Sequence, residues 1–372
     1  MAYLQQSRAP QTWSGDLGIK SLSAAFRGGL SPIEVAEAVF GRIEAYHKVQ
    51  PSVWIHLPSK ESVVEAAKNL QVRFPERDTL PPLFGIPFSI KDNINIAGIA
   101  TTTGCPPLAR IPSESALVYT RLIEQGGIFI GKTNLEQLAT GMTGCRSPYG
   151  TLSSVYHGDY TVGGSSSGSC VSVAANLVSF SIGSDTAGSG RLPAAFNGIV
   201  GWKPTKGTVS AAGVTPACQS QDCVAVLARN VEDARAVWHV IKGYDENDIY
   251  AKPEPYAYRP GPSQGNFIFG IPSLEALAVC SPPYRRLFDD TVQTLQAMGG
   301  TLKPIDWKPF EDAGKLLYEG TFVAERLAGL PDGWLEASKE YLHPVTREIF
   351  EGAARRKTTA MQVFRDLHAQ EL

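Results

Sequence analysis

The sequence lacks a surplus of charge of either sign. Its 34 lysines and arginines nearly balance 36 aspartates and glutamates, which leaves a formal net charge of −2 at pH 7. Domains that bind nucleic acid usually carry a basic excess, so no nucleic-acid partner is expected. Only 19% of the residues are charged and 43% are hydrophobic. This balance excludes a disordered chain and allows a sizeable core.

Long hydrophobic runs are also missing. The longest apolar stretches, such as residues 176–182, are far shorter than the roughly 20 residues that cross a bilayer. The first six residues carry neither a basic nor an apolar segment, so no signal peptide and no membrane partner are expected. The six cysteines form no CxxC pair and have no histidine at zinc-finger spacing. We therefore expect reduced thiols in a cytoplasmic protein, with no metal site.

Glycine and proline, by contrast, are abundant, with 36 and 26 copies, which argues against a helical bundle. Apolar periodicity predicts helices at 31–48, 60–73, 113–124 and 284–298, and strands at 83–90, 127–131 and 267–271. The first of these helices opens with a capping box from Ser31 to Glu34. The rhythm of strand and helix predicts an α/β fold, with a central mixed β-sheet flanked by helices on both faces.

The length allows two domains or one large α/β unit, and we interpret residues 1–372 as a single domain. Within it we expect an N-terminal helical region at about 15–75 and a core at about 80–245. A peripheral part that binds substrate is expected at about 246–372, with a surface loop at 250–264. The chain stops inside an apparent helix, so the C-terminal end of the fold is expected to be missing.

Two tracts of serine and glycine, at 163–169 and 183–190, enclose an apolar segment at 171–182. A flexible linker would not enclose such a segment, so the tracts are interpreted as tight turns around a buried strand. Lys91 follows another apolar strand, where burial would lower its pKa and leave a neutral amine that can act as base toward a serine. The alternative is a surface lysine beside ordinary loops.

Two short motifs suggest other chemistry. Residues 126–133 match a phosphate-binding P-loop, but their apolar centre favours a strand where that motif needs a flexible turn. Residues 164–168 match the nucleophile elbow of serine hydrolases. That elbow needs a partner histidine, and the histidines that follow stand alone in the sequence; they are His239, His343 and His368. A Ser-His-Asp triad is therefore not favoured.

Several segments together resemble the amidase signature family, over roughly residues 20–350. They are residues 85–92, 131–134, 163–168, 183–193 and 201–205, in that order. The resemblance implies amide hydrolysis without a metal or an organic cofactor. It implies Ser189 as nucleophile, Ser165 as a bridging serine after a non-proline cis peptide bond, and Lys91 as terminal base. It also implies an oxyanion hole built from the backbone N–H groups of Asp185, Thr186, Ala187 and Gly188.

Within this family, the sequence is most similar to the allophanate hydrolases, in residues 141–150, 185–194 and 317–326. This similarity implies that Tyr318 and Arg326 grip the substrate and that Gly141 lies beside it. Their spacing is near two helical turns, so we expect Tyr318 and Arg326 on one helix face. Arginine suits a small carboxylate because it can donate two parallel hydrogen bonds. The alternative for Arg326 is a surface ion pair with Glu325.

The predicted function is hydrolysis of allophanate, which is urea bearing a carboxylate, through an acyl-enzyme. The products are ammonia and N-carboxycarbamate, which ends as carbon dioxide. The alternatives are a general amidase, the amidase component of a tRNA-dependent amidotransferase, and a catalytically silent binding or assembly protein. The expected partners are a small carboxylated amide as substrate and a second copy of the chain in a homodimer. Nitrogen release from urea is the expected setting.

Overall fold

The computed structural model describes residues 13–253 and 266–371. They form two compact units, one made of residues 13–253 with 325–355 and the other of residues 266–324 with 356–371. Most of the surface loop expected at 250–264 and the first six residues lie outside the described residues. The organisation of the whole chain as one domain stays a prediction.

The strands, in chain order, are β1 (Trp54–His56), β2 (Pro87–Lys91), β3 (Ile128–Thr133), β4 (Ser153–Ser154), β5 (His157–Thr161), β6 (Phe180–Ser184), β7 (Val200–Trp202), β8 (Val224–Ala228), β9 (Phe267–Ile271) and β10 (Gly300–Pro304). The helices are α1 (Ile19–Arg27), α2 (Pro32–His47), α3 (Lys60–Arg73), α4 (Leu117–Glu124), α5 (Ser167–Ala174), α6 (Arg191–Phe196), α7 (Val231–Ile241), α8 (Pro282–Ala297), α9 (Lys308–Leu316), α10 (Phe322–Ala328), α11 (Trp334–Ser338), α12 (Pro344–Arg356) and α13 (Ala360–Glu371).

A six-stranded sheet forms the centre of the first unit, in the order β1-β3-β2-β6-β8-β7. Strand β2 runs parallel to both of its neighbours, β3 and β6. The outer pairs, β1 with β3, β6 with β8 and β8 with β7, are antiparallel. The prediction of a mixed sheet is therefore confirmed, and β2 lies in its interior.

Both faces of β2 are covered, and they differ in chemistry. The Phe88 ring stacks on Phe180 at 5.4 Å between centroids and lies 6.3 Å from Tyr119 of α4. One residue further on, Ser89 points to the opposite face, since side chains alternate along a strand. There its Oγ forms a hydrogen bond of 2.9 Å with Ser172 of α5. Helices therefore cover both faces of the sheet, as predicted, and this explains why every residue of β2 is buried.

The strand expected over residues 171–182 is wrong in its first half, which lies in helix α5 before β6 begins. Serine and glycine are poor helix formers in isolation, but here packing outweighs propensity. A Cβ on Gly168 would lie 2.5 Å from the Val53 carbonyl oxygen, so only glycine allows the helix to approach so closely. The buried hydroxyl of Ser169 bonds to Thr133 at 2.6 Å across the contact with β3.

The other predicted elements are present, with shifted ends. Ser31 and Glu34 form the capping box of α2, with Ser31 N donating to Glu34 Oε2 at 2.9 Å. Strand β2 starts four residues later than predicted, because a turn with Gly85 at φ +71° precedes it. Strand β3 contains most of the segment that resembled a P-loop, which confirms its interpretation as a strand. In the second unit, β9 and β10 form a parallel pair joined through α8.

We predict that Phe88→Ala lowers the free energy of unfolding by about 3–5 kcal/mol, because it leaves a cavity between buried rings. Urea denaturation followed by tryptophan fluorescence measures this loss. Val72→Ala is the matched control, since that side chain is 80% exposed, and it should change stability by less than about 0.5 kcal/mol. A similar effect of both substitutions would contradict the central position of β2.

Candidate active site

Lys91 is the last residue of β2, and its side chain is fully buried. Its Nζ donates hydrogen bonds to Ser165 Oγ at 2.7 Å and to Ser184 Oγ at 2.8 Å. Ser184 ends β6, the parallel neighbour of β2, so both side chains emerge at the same edge of the sheet. The alternative of a surface lysine is therefore wrong.

Burial changes the acidity of this amine. It lowers the pKa of Lys91 from 10.5 to about 7, and the negative charges of Asp185 and Asp222 oppose the shift only in part. The atoms that accept hydrogen bonds from Nζ belong to serines, including the Ser184 carbonyl at 3.5 Å. A hydroxyl can also donate a hydrogen bond, so this environment suits the neutral amine as well as the ammonium.

Ser165 lies just before α5 and is also fully buried. The peptide bond between Gly164 and Ser165 is cis, as the resemblance implies. The Ser165 carbonyl accepts from Glu136 N at 3.0 Å, and Ser166 N donates to the Ser189 carbonyl at 3.1 Å. The fold thus brings the two serine and glycine tracts side by side. Lys91 contacts the first of them through Ser165.

The loop that carries Ser189 is organised around the carboxylate of Asp185. Asp185 Oδ1 accepts from Gly188 N at 2.7 Å, and Oδ2 accepts from Gly190 N at 3.1 Å. Arg191 donates to both oxygens at 2.9 Å. Burial alone raises the pKa of Asp185, but the hydrogen bonds and charge of Arg191 outweigh it, and the net pKa lies below its ordinary value. The loop is therefore held around an ionised carboxylate.

The four backbone N–H groups expected in an oxyanion hole differ in whether they already donate to an acceptor within the protein. Asp185 N donates to the Cys223 carbonyl at 2.8 Å, and Gly188 N is taken by Asp185 Oδ1. The N–H groups of these two residues therefore hold the loop together. The N–H groups of Thr186 and Ala187 donate to no acceptor in the described part of the chain. Of the four predicted donors, Thr186 and Ala187 are thus the two that remain available, and the oxyanion hole itself stays a prediction.

Arg326 is buried at 6% exposure, and its Nη1 donates to Thr140 Oγ1 at 2.7 Å. Glu325 bonds elsewhere, through Oε1 to Ser220 N at 2.7 Å. The alternative of a surface ion pair between Glu325 and Arg326 is therefore wrong. Gly141 follows Thr140 directly and has φ +142°, and a Cβ there would lie 2.4 Å from Glu136 Oε2.

Tyr318 does not share a helix with Arg326. It lies in the turn between α9 and α10, and α10 starts only at Phe322. Between α9 and α10, Thr321 N donates to Asp366 Oδ2 at 2.8 Å and not to a helical carbonyl. The expectation of one common helix face is therefore wrong. Tyr318 belongs to the second unit, and the other predicted site residues belong to the first.

Sequence reasoning missed a second buried lysine close to the first. Lys132 of β3 forms an ion pair of 2.9 Å with Asp92, and both side chains are fully buried. Its Nζ also donates to Thr101 Oγ1 at 2.7 Å. The lysine was visible as part of the P-loop match and of one segment that resembles the amidase family, and the aspartate as the residue after Lys91. No local pattern pairs them, since they are 40 positions apart in the sequence.

The described residues hold no group of three or more His, Cys, Asp or Glu side chains arranged to bind a metal ion. All six cysteines, each within the described ranges, are free thiols. Across residues 13–253 and 266–371, no helix combines the length and the apolar character that a membrane crossing requires.

Comparison with known proteins places this geometry in context. The sequence profile of the amidase family matches residues 34–362. The urea amidolyase of Saccharomyces cerevisiae is 40% identical over 318 residues, which are 84% of this chain and 17% of the yeast protein. A glutamyl-tRNA(Gln) amidotransferase component from Symbiobacterium thermophilum is 35% identical over 85% of this chain and 66% of its own length.

A solved structure extends the similarity to the fold. The allophanate hydrolase of Kluyveromyces lactis superposes with a TM-score of 0.85 at 33% identity, covering 96% of this chain and 57% of that chain. The present chain thus spans less than a fifth of the yeast urea amidolyase and just over half of this hydrolase. Since the family profile matches well over half of the sequence, the chain belongs to the amidase family.

Proposed function

We propose that this chain hydrolyses allophanate through an acyl-enzyme, with Ser189 as nucleophile, Ser165 as bridging serine and Lys91 as base. The observation that carries the proposal is the 2.7 Å contact between the buried Lys91 amine and Ser165 Oγ, beside the loop of Ser189. The similarity to urea amidolyase and to allophanate hydrolase supports the substrate.

The first half of the reaction forms the acyl-enzyme. Neutral Lys91 accepts the Ser165 proton while Ser165 accepts the proton of Ser189, whose Oγ attacks the terminal amide carbonyl. The N–H groups of Thr186 and Ala187 stabilise the oxyanion, and one such donor is typically worth about 3–4 kcal/mol. When the tetrahedral intermediate collapses, its C–N bond breaks. The proton returns through Ser165 to the leaving nitrogen, which departs as ammonia.

The second half releases the acyl group. Water attacks the carbonyl of the carboxycarbamoyl ester, and its proton passes through Ser165 toward Lys91. The ester C–O bond breaks, and the proton returns to Ser189 Oγ. The product, N-carboxycarbamate, loses carbon dioxide and ends as ammonia and carbon dioxide. No step requires a metal or an organic cofactor.

Arg326 supports an anionic substrate over a neutral one. A buried guanidinium is a suitable partner for a small carboxylate, because planar donors match planar acceptors. A general amidase would need no such cation.

A role in a tRNA-dependent amidotransferase is the second candidate, and the relatives of that name favour it. Gly141, which follows Thr140 in the first unit, belongs to the proposed substrate site, and the role of Tyr318 stays a prediction. A homodimer in the cytoplasm is part of the same proposal.

Ser189→Ala should abolish ammonia release from allophanate, with a loss in kcat of about 10⁶-fold, because no other group can form the ester. Ser179→Ala is the matched control: Ser179 is buried and its hydroxyl has no partner among the described residues, so activity should persist. A serine-reactive phosphonate should label the wild type at Ser189. An unlabelled wild type would indicate a catalytically silent protein, and substantial turnover by Ser189→Ala would place the nucleophile elsewhere.

The value of kcat/KM should rise with pH through about 7, since only the neutral Lys91 amine can accept a proton and its pKa lies near that value. Below this pH the ammonium predominates and the rate should fall tenfold per pH unit. Lys91→Met should cost several orders of magnitude and remove this acid limb. His56→Gln is the histidine control: burial lowers the pKa of His56 below its ordinary value, and this variant should retain the limb. Loss of the limb in His56→Gln alone would refute the lysine assignment.

Arg326→Ala should raise KM for allophanate by about 10- to 100-fold, because a charged hydrogen bond to the carboxylate is lost. Biuret, in which an amide replaces that carboxylate, is the neutral comparison, and its KM should change little. Ammonia release under steady-state conditions measures both. Equal losses on the two substrates would remove Arg326 from carboxylate recognition.

A further inference from the structure

The guanidinium of Arg326 is held by a buried hydroxyl. An arginine side chain has many rotamers, so a buried guanidinium needs a partner that fixes its plane. In the first unit, Arg326 Nη1 donates to Thr140 Oγ1 at 2.7 Å. Thr140 is fully buried and Arg326 nearly so, so water does not compete strongly for this contact. The bond uses one of the five N–H donors of the guanidinium and sets the directions of the others.

A second hydrogen bond fixes the direction in which the Thr140 hydroxyl donates its proton. Its hydroxyl donates its single proton to the Leu138 carbonyl at 3.0 Å, so the oxygen presents its lone pairs to Arg326. Thr140 N donates to the Gln137 carbonyl at 3.0 Å. The hydroxyl can therefore act toward Arg326 only as an acceptor, in one direction.

The backbone before Thr140 is unusual. Leu138 and Ala139 have φ of +54° and +51°, a region that residues other than glycine rarely adopt. A tertiary bond and a local turn bond accompany this conformation: Leu138 N donates to the Thr103 carbonyl at 2.8 Å, and Ala139 N donates to the Glu136 carbonyl at 2.9 Å. Conformations of this kind cluster at functional sites, and here the turn delivers Thr140 to the guanidinium.

The same segment also contacts Ser165, the proposed bridging serine. Glu136 N donates to the Ser165 carbonyl at 3.0 Å, and Glu136 Oε1 accepts from Gly144 N. Residues 136–140 therefore bond to Ser165 at one end and to Arg326 at the other. The segment thus links the guanidinium to the bridging serine through hydrogen bonds of 2.7 and 3.0 Å.

We propose that Thr140 is a positioning residue that determines specificity for a carboxylate placed next to the scissile amide. This inference rests on the proposed function. Thr140 holds the Arg326 fork where a carboxylate can meet it while the amide carbonyl lies at Ser189. A threonine that merely satisfied a buried arginine would affect stability and all substrates equally, whereas a positioning residue affects the carboxylated substrate selectively.

The test compares steady-state ammonia release from allophanate and from biuret by four proteins. They are the wild type, Thr140→Val, Thr140→Ser and Thr346→Val. Valine keeps the shape of threonine without its hydroxyl, and serine keeps the hydroxyl. Thr346 is the matched control, since it is fully buried and its hydroxyl has no partner among the described residues. Thermal unfolding by circular dichroism shows which variants are folded, and Thr140→Ala replaces Thr140→Val if the latter is not.

Thr140→Val should raise KM for allophanate about tenfold, with kcat and all biuret constants near wild type. Thr140→Ser should restore the wild-type KM, and Thr346→Val should change neither substrate. In an Arg326→Ala background the substitution Thr140→Val should have no further effect on allophanate, because there is no guanidinium left to hold.

Three results would overturn the inference: a wild-type KM in Thr140→Val, equal losses on both substrates, or no rescue by serine. An additive effect in the Arg326→Ala background would also do so, since Thr140 would then act independently of the arginine. Failure of the proposed function has a different signature, because it concerns the wild type alone. A wild type that cleaves biuret but not allophanate refutes the proposed substrate, and the role of Thr140 falls with it.

Discussion

The buried amine of Lys91 is the constraint on which the surrounding structure depends. An ammonium removed from water is costly unless a partner compensates for it. Ser165, just before α5, and Ser184, at the end of β6, lie 2.7 and 2.8 Å from the amine and solvate it without forcing it to stay charged. To bring these hydroxyls so close, α5 must lie directly on the sheet, and this requires the small residues of the serine and glycine tracts. The small residues of the tracts thus allow the close packing that brings the hydroxyls to Lys91.

Two buried lysines on adjacent strands are stabilised in different ways. Lys132 has a carboxylate at 2.9 Å, which favours its charged form against the effect of burial, whereas the nearest partners of Lys91 are hydroxyls. Burial lowers the pKa of both. A direct ion pair suits a structural cation, and hydroxyl partners suit a base that must accept and return a proton. The carboxylates near Lys91 bind backbone N–H groups instead, and Asp185 is the main example.

Much of the fold and part of the site could be predicted from local patterns. The capping box of α2, the strand β9 and the mixed sheet follow from residue type and spacing, which act over a few residues. Helix α5 could not be predicted in this way, because serine and glycine have low helix propensity and only close packing against β2 and β3 makes the helix favourable. Similarly, helical spacing placed Tyr318 on the helix of Arg326, but α10 starts only at Phe322, and Thr321 N just before it donates to the distant Asp366.

By itself, then, the sequence determined those helices and strands that residue type and spacing specify. Its resemblance to a family gave the candidate residues Lys91, Ser165 and Ser189. Tertiary structure decided that Lys91 is buried beside Ser165, which N–H groups remain for an oxyanion, and what holds Arg326. The reason is separation along the chain. Asp185 N meets the Cys223 carbonyl, and Thr140 meets a guanidinium 186 positions away, and no local pattern encodes contacts of that range.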